Sequence, residues 1–264
     1  MKKILLSAGI LLITISMQAQ QKQGKVTFER VAQMRMHIND GNGDDDRPQT
    51  RTDKFELTFG NNQSLWKQAE KENNDDENVN QGGMQIRMIV AGSDDVLYNN
   101  FTNGKSTELR VFFDKKFIVD DSLHSLKWKI GEETKTILNH VCTKATATTI
   151  TTRMTMNINN GVMEKKEIQD TAHLTAWFAT DIPVSAGPAE YQGQLPGLIL
   201  ALDINNGRQV YKAIELTEKA DLTSIKEPAG KKHYTPAEFR KERDKMMDEM
   251  QHNNGGGNRQ IRIN

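Results

Sequence analysis

The sequence predicts an all-β protein: one large antiparallel, meandering sheet curled into a half-barrel or barrel-like domain, followed by a C-terminal amphipathic helix. Three observations carry this. Apolar residues recur at every second position through most of the chain, the period of strands buried on one face. Asn103-Gly104, Asn160-Gly161 and Asn206-Gly207 fall between such runs, and an Asn-Gly pair supplies the positive φ angles of a type I′ hairpin turn. Helical periodicity is missing until after Thr235.

The N-terminus is read first. Lys2 and Lys3 precede an apolar run over residues 4–15, and Ala19 stands where a signal peptidase would cut. This is the pattern of a signal peptide over residues 1–19, too short to span a bilayer comfortably. The expected organisation is a β domain over residues 20–228, then a helix and flexible tail over 229–264. Export to the periplasm or the extracellular space follows. The mature chain has no segment approaching the ~20 apolar residues of a membrane helix.

The strands follow in order. Over residues 26–38 the even positions Val26, Phe28, Ala32, Met34, Met36 and Ile38 form an apolar face that Arg30 alone interrupts. Further runs cover 51–59, 85–90, 96–102, 108–113, 116–119, 127–130, 135–141, 149–158, 173–179, 198–204 and 209–216. The acidic stretches 39–48 and 71–83 lack the apolar residues that would bury them and read as hairpin tips. At the C-terminus, Thr235-Pro236-Ala237-Glu238 is a capping box with proline at the first helical position. It opens a helix over 236–251 bearing Phe239, Arg243, Met246, Met247 and Met250. Its Phe/Met side should dock on the sheet, because a helix of this length is marginal alone.

Composition excludes several functions. Thirty-five basic residues balance 35 acidic ones, leaving no surplus to hold a nucleic-acid backbone. Removing Lys2 and Lys3 leaves 33 against 35, a net of −2. The single cysteine, Cys142, rules out an intramolecular disulfide and every multi-cysteine metal framework.

Chemical fingerprints are sparse. The chain has no G-x-S-x-G elbow, phosphate loop, H-E-x-x-H or C-x-x-C. Asp40-Gly41-Asn42-Gly43-Asp44 starts like a calcium loop, but Asp45 and Arg51 stand where glycine and glutamate are required. Met34 with Met36, and Met154 with Met156, would suit Cu(I) together with imidazole, yet these methionines share faces with core residues. Cys142 and His140 share a strand face nearly 7 Å apart, so Cys142 reads as a packing residue. The six histidines show no ligand spacing. No catalytic residue, metal or cofactor is assigned.

The segment from Ala176 stands apart. Leu195-Pro196-Gly197-Leu198 suits a type II turn with positive φ at Gly197, and it runs straight into apolar Ile199 to Leu202. A turn walled by Leu195, Leu198 and Ile199 should be buried or face something apolar. This block resembles the GLPGLI family, exported proteins typical of Bacteroidetes bacteria. The matching residues are Leu195, Pro196, Gly197, Leu198 and Ile199, with Ala176-Trp177, Asp181-Ile182-Pro183, Gly187-Pro188, the stretch 140–145 and the basic, methionine-bearing helix over 231–250. Gln194 replaces the first glycine of the name, and Gly193 lies one place earlier. The resemblance implies export but no established reaction or cofactor, so it transfers no catalytic residues.

The expected function is a non-enzymatic binding or accessory module of the cell envelope, for an apolar ligand or an envelope protein. Its candidate binding residues are Leu195, Pro196, Gly197, Leu198, Ile199 and Trp177. The rivals are an envelope hydrolase using His140 or His173 with a nearby carboxylate, and a Met/His copper-binding protein.

Overall fold

A computed structural model describes residues 22–35, 48–70, 94–159 and 162–254. The signal-like segment, the calcium-like loop, the expected strand 85–90, the Asn160-Gly161 turn and the end of the tail lie outside these residues, as do the side chains of Met34, Met36, Met154 and Met156.

The strands are β1 (Gly24–Arg35), β2 (Pro48–Gly60), β3 (Gln63–Gln68), β4 (Val96–Asn100), β5 (Lys105–Phe112) and β6 (Lys115–Ser122). After them come β7 (Lys129–Ile137), β8 (His140–Asn159), β9 (Val162–Ala179), β10 (Leu198–Ile204), β11 (Gln209–Thr217) and β12 (His233–Tyr234), before helix α1 (Pro236–Asn254). Among the described residues the twelve strands form one sheet in the order β12-β6-β5-β4-β3-β2-β1-β11-β10-β9-β8-β7. Every pairing is antiparallel except that of β12 with β6. The sheet is open, with β12 and β7 at its edges, so the architecture is a half-barrel.

Three local expectations change. The runs 127–130 and 135–141 belong mainly to one strand, β7, interrupted by an irregularity between Ile130 and Thr134. The chain then turns at Leu138-Asn139 into β8. The two-residue hairpin turns with both φ angles positive are Asn61-Asn62 and Leu138-Asn139, whereas the Asn-Gly pairs at 103–104 and 206–207 sit in four-residue connections. Strand β3 has no alternation because both of its faces are covered: Leu65 packs with Tyr98 and Ile225, and Trp66 packs on the opposite, inner side with Phe28 and Phe55.

The main core fills the concave face. Val26, Phe28, Leu57 and Phe59 meet Leu174, Ala176, Phe178, Leu200 and Leu202 there. The long connection over residues 180–197 folds into this concavity and supplies Ile182, Ala186, Tyr191 and Leu195. Its backbone is tied by Leu198 N to Ile182 O and Ile199 N to Ala186 O, each 3.0 Å. Gln194 reaches out of this connection: its Oε1 accepts from Leu126 N at 3.1 Å and Trp128 Nε1 at 2.9 Å, pinning the β6–β7 connection.

After β11 the chain crosses the outer face. Leu222 packs where a side chain at Gly60 would stand, Ile225 covers Leu65 and Tyr98, and Glu227 accepts from Lys105 and Thr107 at 2.8 and 3.0 Å. It then rounds the sheet edge through β12 into α1. The capping box forms as its sequence dictates: Glu238 Oε2 accepts from Thr235 N at 2.8 Å, and Thr235 Oγ1 accepts from Glu238 N at 3.3 Å. Phe239 docks edge-on against Phe117 at 5.2 Å, with Val119 and Met246 beside it.

Candidate functional site: an arginine-lined cleft

Part of the concave face stays open. Strands β1 to β6 and β11, the loop residues Ala189 and Glu190, and the first turns of α1 enclose a cleft of ≈ 590 Å³. Its floor is aromatic: Phe55 stacks on Trp66 at 5.0 Å, and Tyr211 meets Trp66 edge-on at 5.9 Å. Its cations are all arginines, Arg30, Arg51, Arg110, Arg240 and Arg243, and its acids are Asp95, Glu108, Asp121 and Glu190.

Arg30 is the residue that interrupts the apolar face of β1. Its Nη2 donates to Asp53 Oδ2 at 2.5 Å, and its guanidinium lies 4.8 Å from the Phe55 ring centre. Arg51 Nε and Nη2 donate to the other oxygen of Asp53 at 3.0 and 2.7 Å. Burial works to raise the Asp53 carboxyl, but the bonds from Arg30 and Arg51 outweigh it and hold the group below its ordinary value. On β5, Arg110 Nη2 meets Glu108 Oε2 at 2.8 Å. Here burial wins: it pushes the Glu108 carboxyl up against the opposing charge of Arg110. Burial likewise raises Asp95, although Asp95 Oδ1 accepts from Val111 N at 2.8 Å. The buried Tyr211 phenol is pushed up to about 12, and its oxygen accepts from Gln209 Nε2 at 2.6 Å. Among the described residues, the buried side-chain polar atoms without a hydrogen bond are Arg30 Nε and Arg110 Nε. Both belong to this cleft.

The residues singled out from sequence lie elsewhere. Leu195, Leu198 and Ile199 are 3%, 0% and 1% exposed and form the packed filling of the concave face. Gly197 is buried and Pro196 exposed. The φ of Gly197 is not in the left-handed region, so the type II expectation is corrected; the positive φ lies at Gly193. Gly197 is required for close approach instead, because a Cβ there would stand 2.2 Å from Ala179 O. Trp177 is half-buried on the outer face, where Lys135 and Lys144 place their ammonium groups 4.2 and 5.9 Å from its ring centre.

His140 does find a carboxylate, with Nδ1 2.7 Å from Asp181 Oδ2. The neighbouring Cys142 is fully buried, and burial pushes its thiol up to about 11, which keeps it protonated and a poor nucleophile. His173 is exposed. Among the described residues no group of three or more His, Cys, Asp or Glu side chains is placed to hold a metal ion, and no helix is long and apolar enough to cross a membrane.

The sequence signal for the cleft was Arg30 itself, the one charge on an apolar strand face. The rest was hidden because Glu108, Arg110 and Tyr211 sit on ordinary alternating strands.

No curated protein matches this chain. Among solved structures it is similar to PNGF-II, with 14% identity and a TM-score of 0.49 over 83% of this chain and 32% of that one. The chain therefore spans about a third of the length of that protein. Over residues 128–201, from Trp128 through the concave-face filling to Ala201, the chain is similar to the Porph_ging family, a protein of unknown function.

Proposed function

We propose that this chain is an exported, non-enzymatic binding module of the cell envelope, related to the GLPGLI family, and that its ligand sits in the arginine-lined cleft. One observation carries the reading. Charged side chains from β1, β2, β5 and the 180–197 connection converge, partly desolvated, on a cavity with an aromatic floor. Burying charge costs stability that apolar packing would not, and such a cost in a cleft of ligand size marks a binding site.

Leu195, Gly197, Leu198 and Ile199 serve the site indirectly in this reading. They fill one part of the concave face and hold Ala189 and Glu190 at the edge of the other. Pro196 and Trp177 remain surface candidates for an envelope partner.

The test uses the processed chain, residues 20–264, exposed to a small-molecule extract of envelopes. Wild-type protein should retain a compound, identified by mass spectrometry, that Ser106→Trp does not, because Ser106 lines the cleft and is only half-buried. Equal retention by both would refute the site. Export is tested by the N-terminus of the native protein, which should begin at Gln20. A hydrolase is the second reading, favoured by the His140–Asp181 pair; it requires an esterase or amidase activity that His140→Ala abolishes.

A further inference from the structure

The bonding balance of the cleft narrows its ligand. Arg30 gives its guanidinium to Asp53 and the Tyr211 hydroxyl, Arg110 gives its own to Glu108, and each leaves Nε buried without an acceptor. Glu108 and Asp95 show the opposite shortage, since burial holds both carboxyls above their ordinary values. Glu190 adds an exposed carboxylate at the edge.

An anion alone would answer the guanidinium donors but face four carboxylates. A cation alone would answer the acids but face five guanidinium groups. Phe55 and Trp66 line the same cleft, together with the amides and hydroxyl of Gln68, Asn99 and Ser106. The cleft volume of ≈ 590 Å³ exceeds what a single ion or free amino acid needs and lies within the usual range of small-ligand pockets.

Resting on the cleft as the ligand site, we infer that the ligand is a short peptide with free termini. Its carboxylate takes the Nε groups of Arg30 and Arg110, its ammonium sits among Asp95, Glu108 and Glu190, and a side chain lies on Phe55 and Trp66. Its amides pair with Gln68, Asn99 and Ser106. Arginine suits the carboxylate end because its planar fork offers several donors at once.

The test is calorimetric titration of the processed protein with the tripeptide Ala-Phe-Ala, its N-acetylated form, its C-amidated form, and inorganic phosphate. Free tripeptide should bind, and blocking either terminus should weaken binding at least about tenfold, the cost of one charge-assisted bond. Glu190→Gln, at an exposed loop position, should shrink the penalty for acetylation and leave the penalty for amidation intact. Arg110→Lys, which keeps the charge and loses Nε, should do the reverse, with its thermal melt confirming the fold. Equal binding of free and blocked peptides, or tight binding of phosphate alone, overturns the free-terminus assignment. Failure of every peptide, while wild type still retains an envelope compound that Ser106→Trp does not, overturns the peptide and leaves the cleft standing. Failure of both comparisons removes the cleft as well.

Discussion

Gly197 lies against the carbonyl of Ala179 so closely that a Cβ at Gly197 would come within 2.2 Å of the oxygen. The contact joins the last turn of the 180–197 connection to the end of β9, and it explains glycine at that place without any special backbone angle. Gly197→Ala should therefore force the two backbones apart. The expected loss is about 3 kcal/mol, at the upper end of overpacking costs, read by urea denaturation. A loss under about 0.5 kcal/mol would mean that the turn has room to move.

Asp53 is the electrostatic anchor of the cleft, with 6% of its side chain exposed and two guanidinium groups upon it. Asp53→Asn should cost about 2–3 kcal/mol at neutral pH, less than a fully buried pair because both arginines are partly solvated. The folded carboxyl lies below its unfolded value, so its contribution is complete above the unfolded pKa and fades as pH falls through the folded one. The stability gap between wild type and Asp53→Asn should begin to narrow below about pH 4 and close only as pH falls past the lower folded value. A gap that stays constant into acid would contradict the assignment.

Glu108 should behave in the opposite sense. Its folded pKa is raised by burial, so ionising it costs stability, and wild type loses ground as pH climbs from the unfolded value through the folded one. Glu108→Gln carries no such cost. The stability of wild type minus that of Glu108→Gln should fall between pH 4 and 7, measured by chemical denaturation at each pH. A rise over that window would show that the Arg110 ion pair dominates.

The wall formed by α1 depends on its cap. Thr235→Ala removes the Oγ1 acceptor for Glu238 N and should cost about 1 kcal/mol. Hydrogen exchange should quicken first in the helix bearing Phe239, Arg240 and Arg243. Uniform quickening across the sheet instead would mean that α1 and the β domain open together.

Much of this fold was legible because a half-buried strand writes its two faces into alternate residues. Residues 198–204 and 209–216 matched β10 and β11 nearly end to end. The same rule hid β3, whose two covered faces make Leu65 and Trp66 adjacent apolar residues. Apolar content identified Leu195, Leu198 and Ile199 as needing cover, and in the structure that cover is the inside of the sheet. The cleft was illegible for a different reason. Glu108 and Arg110 on β5, Asp53 on β2 and Tyr211 on β11 are far apart in the chain, and only sheet order brings them together; Arg30 alone announced them.

The cleft as ligand site is tested most directly at the two arginine Nε groups that lack an acceptor, those of Arg30 and Arg110. In the ¹H–¹⁵N spectrum of arginine Nε–H groups, the signals of Arg30 and Arg110 should shift on addition of the tripeptide or of the retained envelope compound. They should also become protected from exchange with water, as buried donors gain an acceptor. Shifts confined to the surroundings of Trp177 on the outer face, with Arg30 and Arg110 unmoved at saturation, would contradict the account.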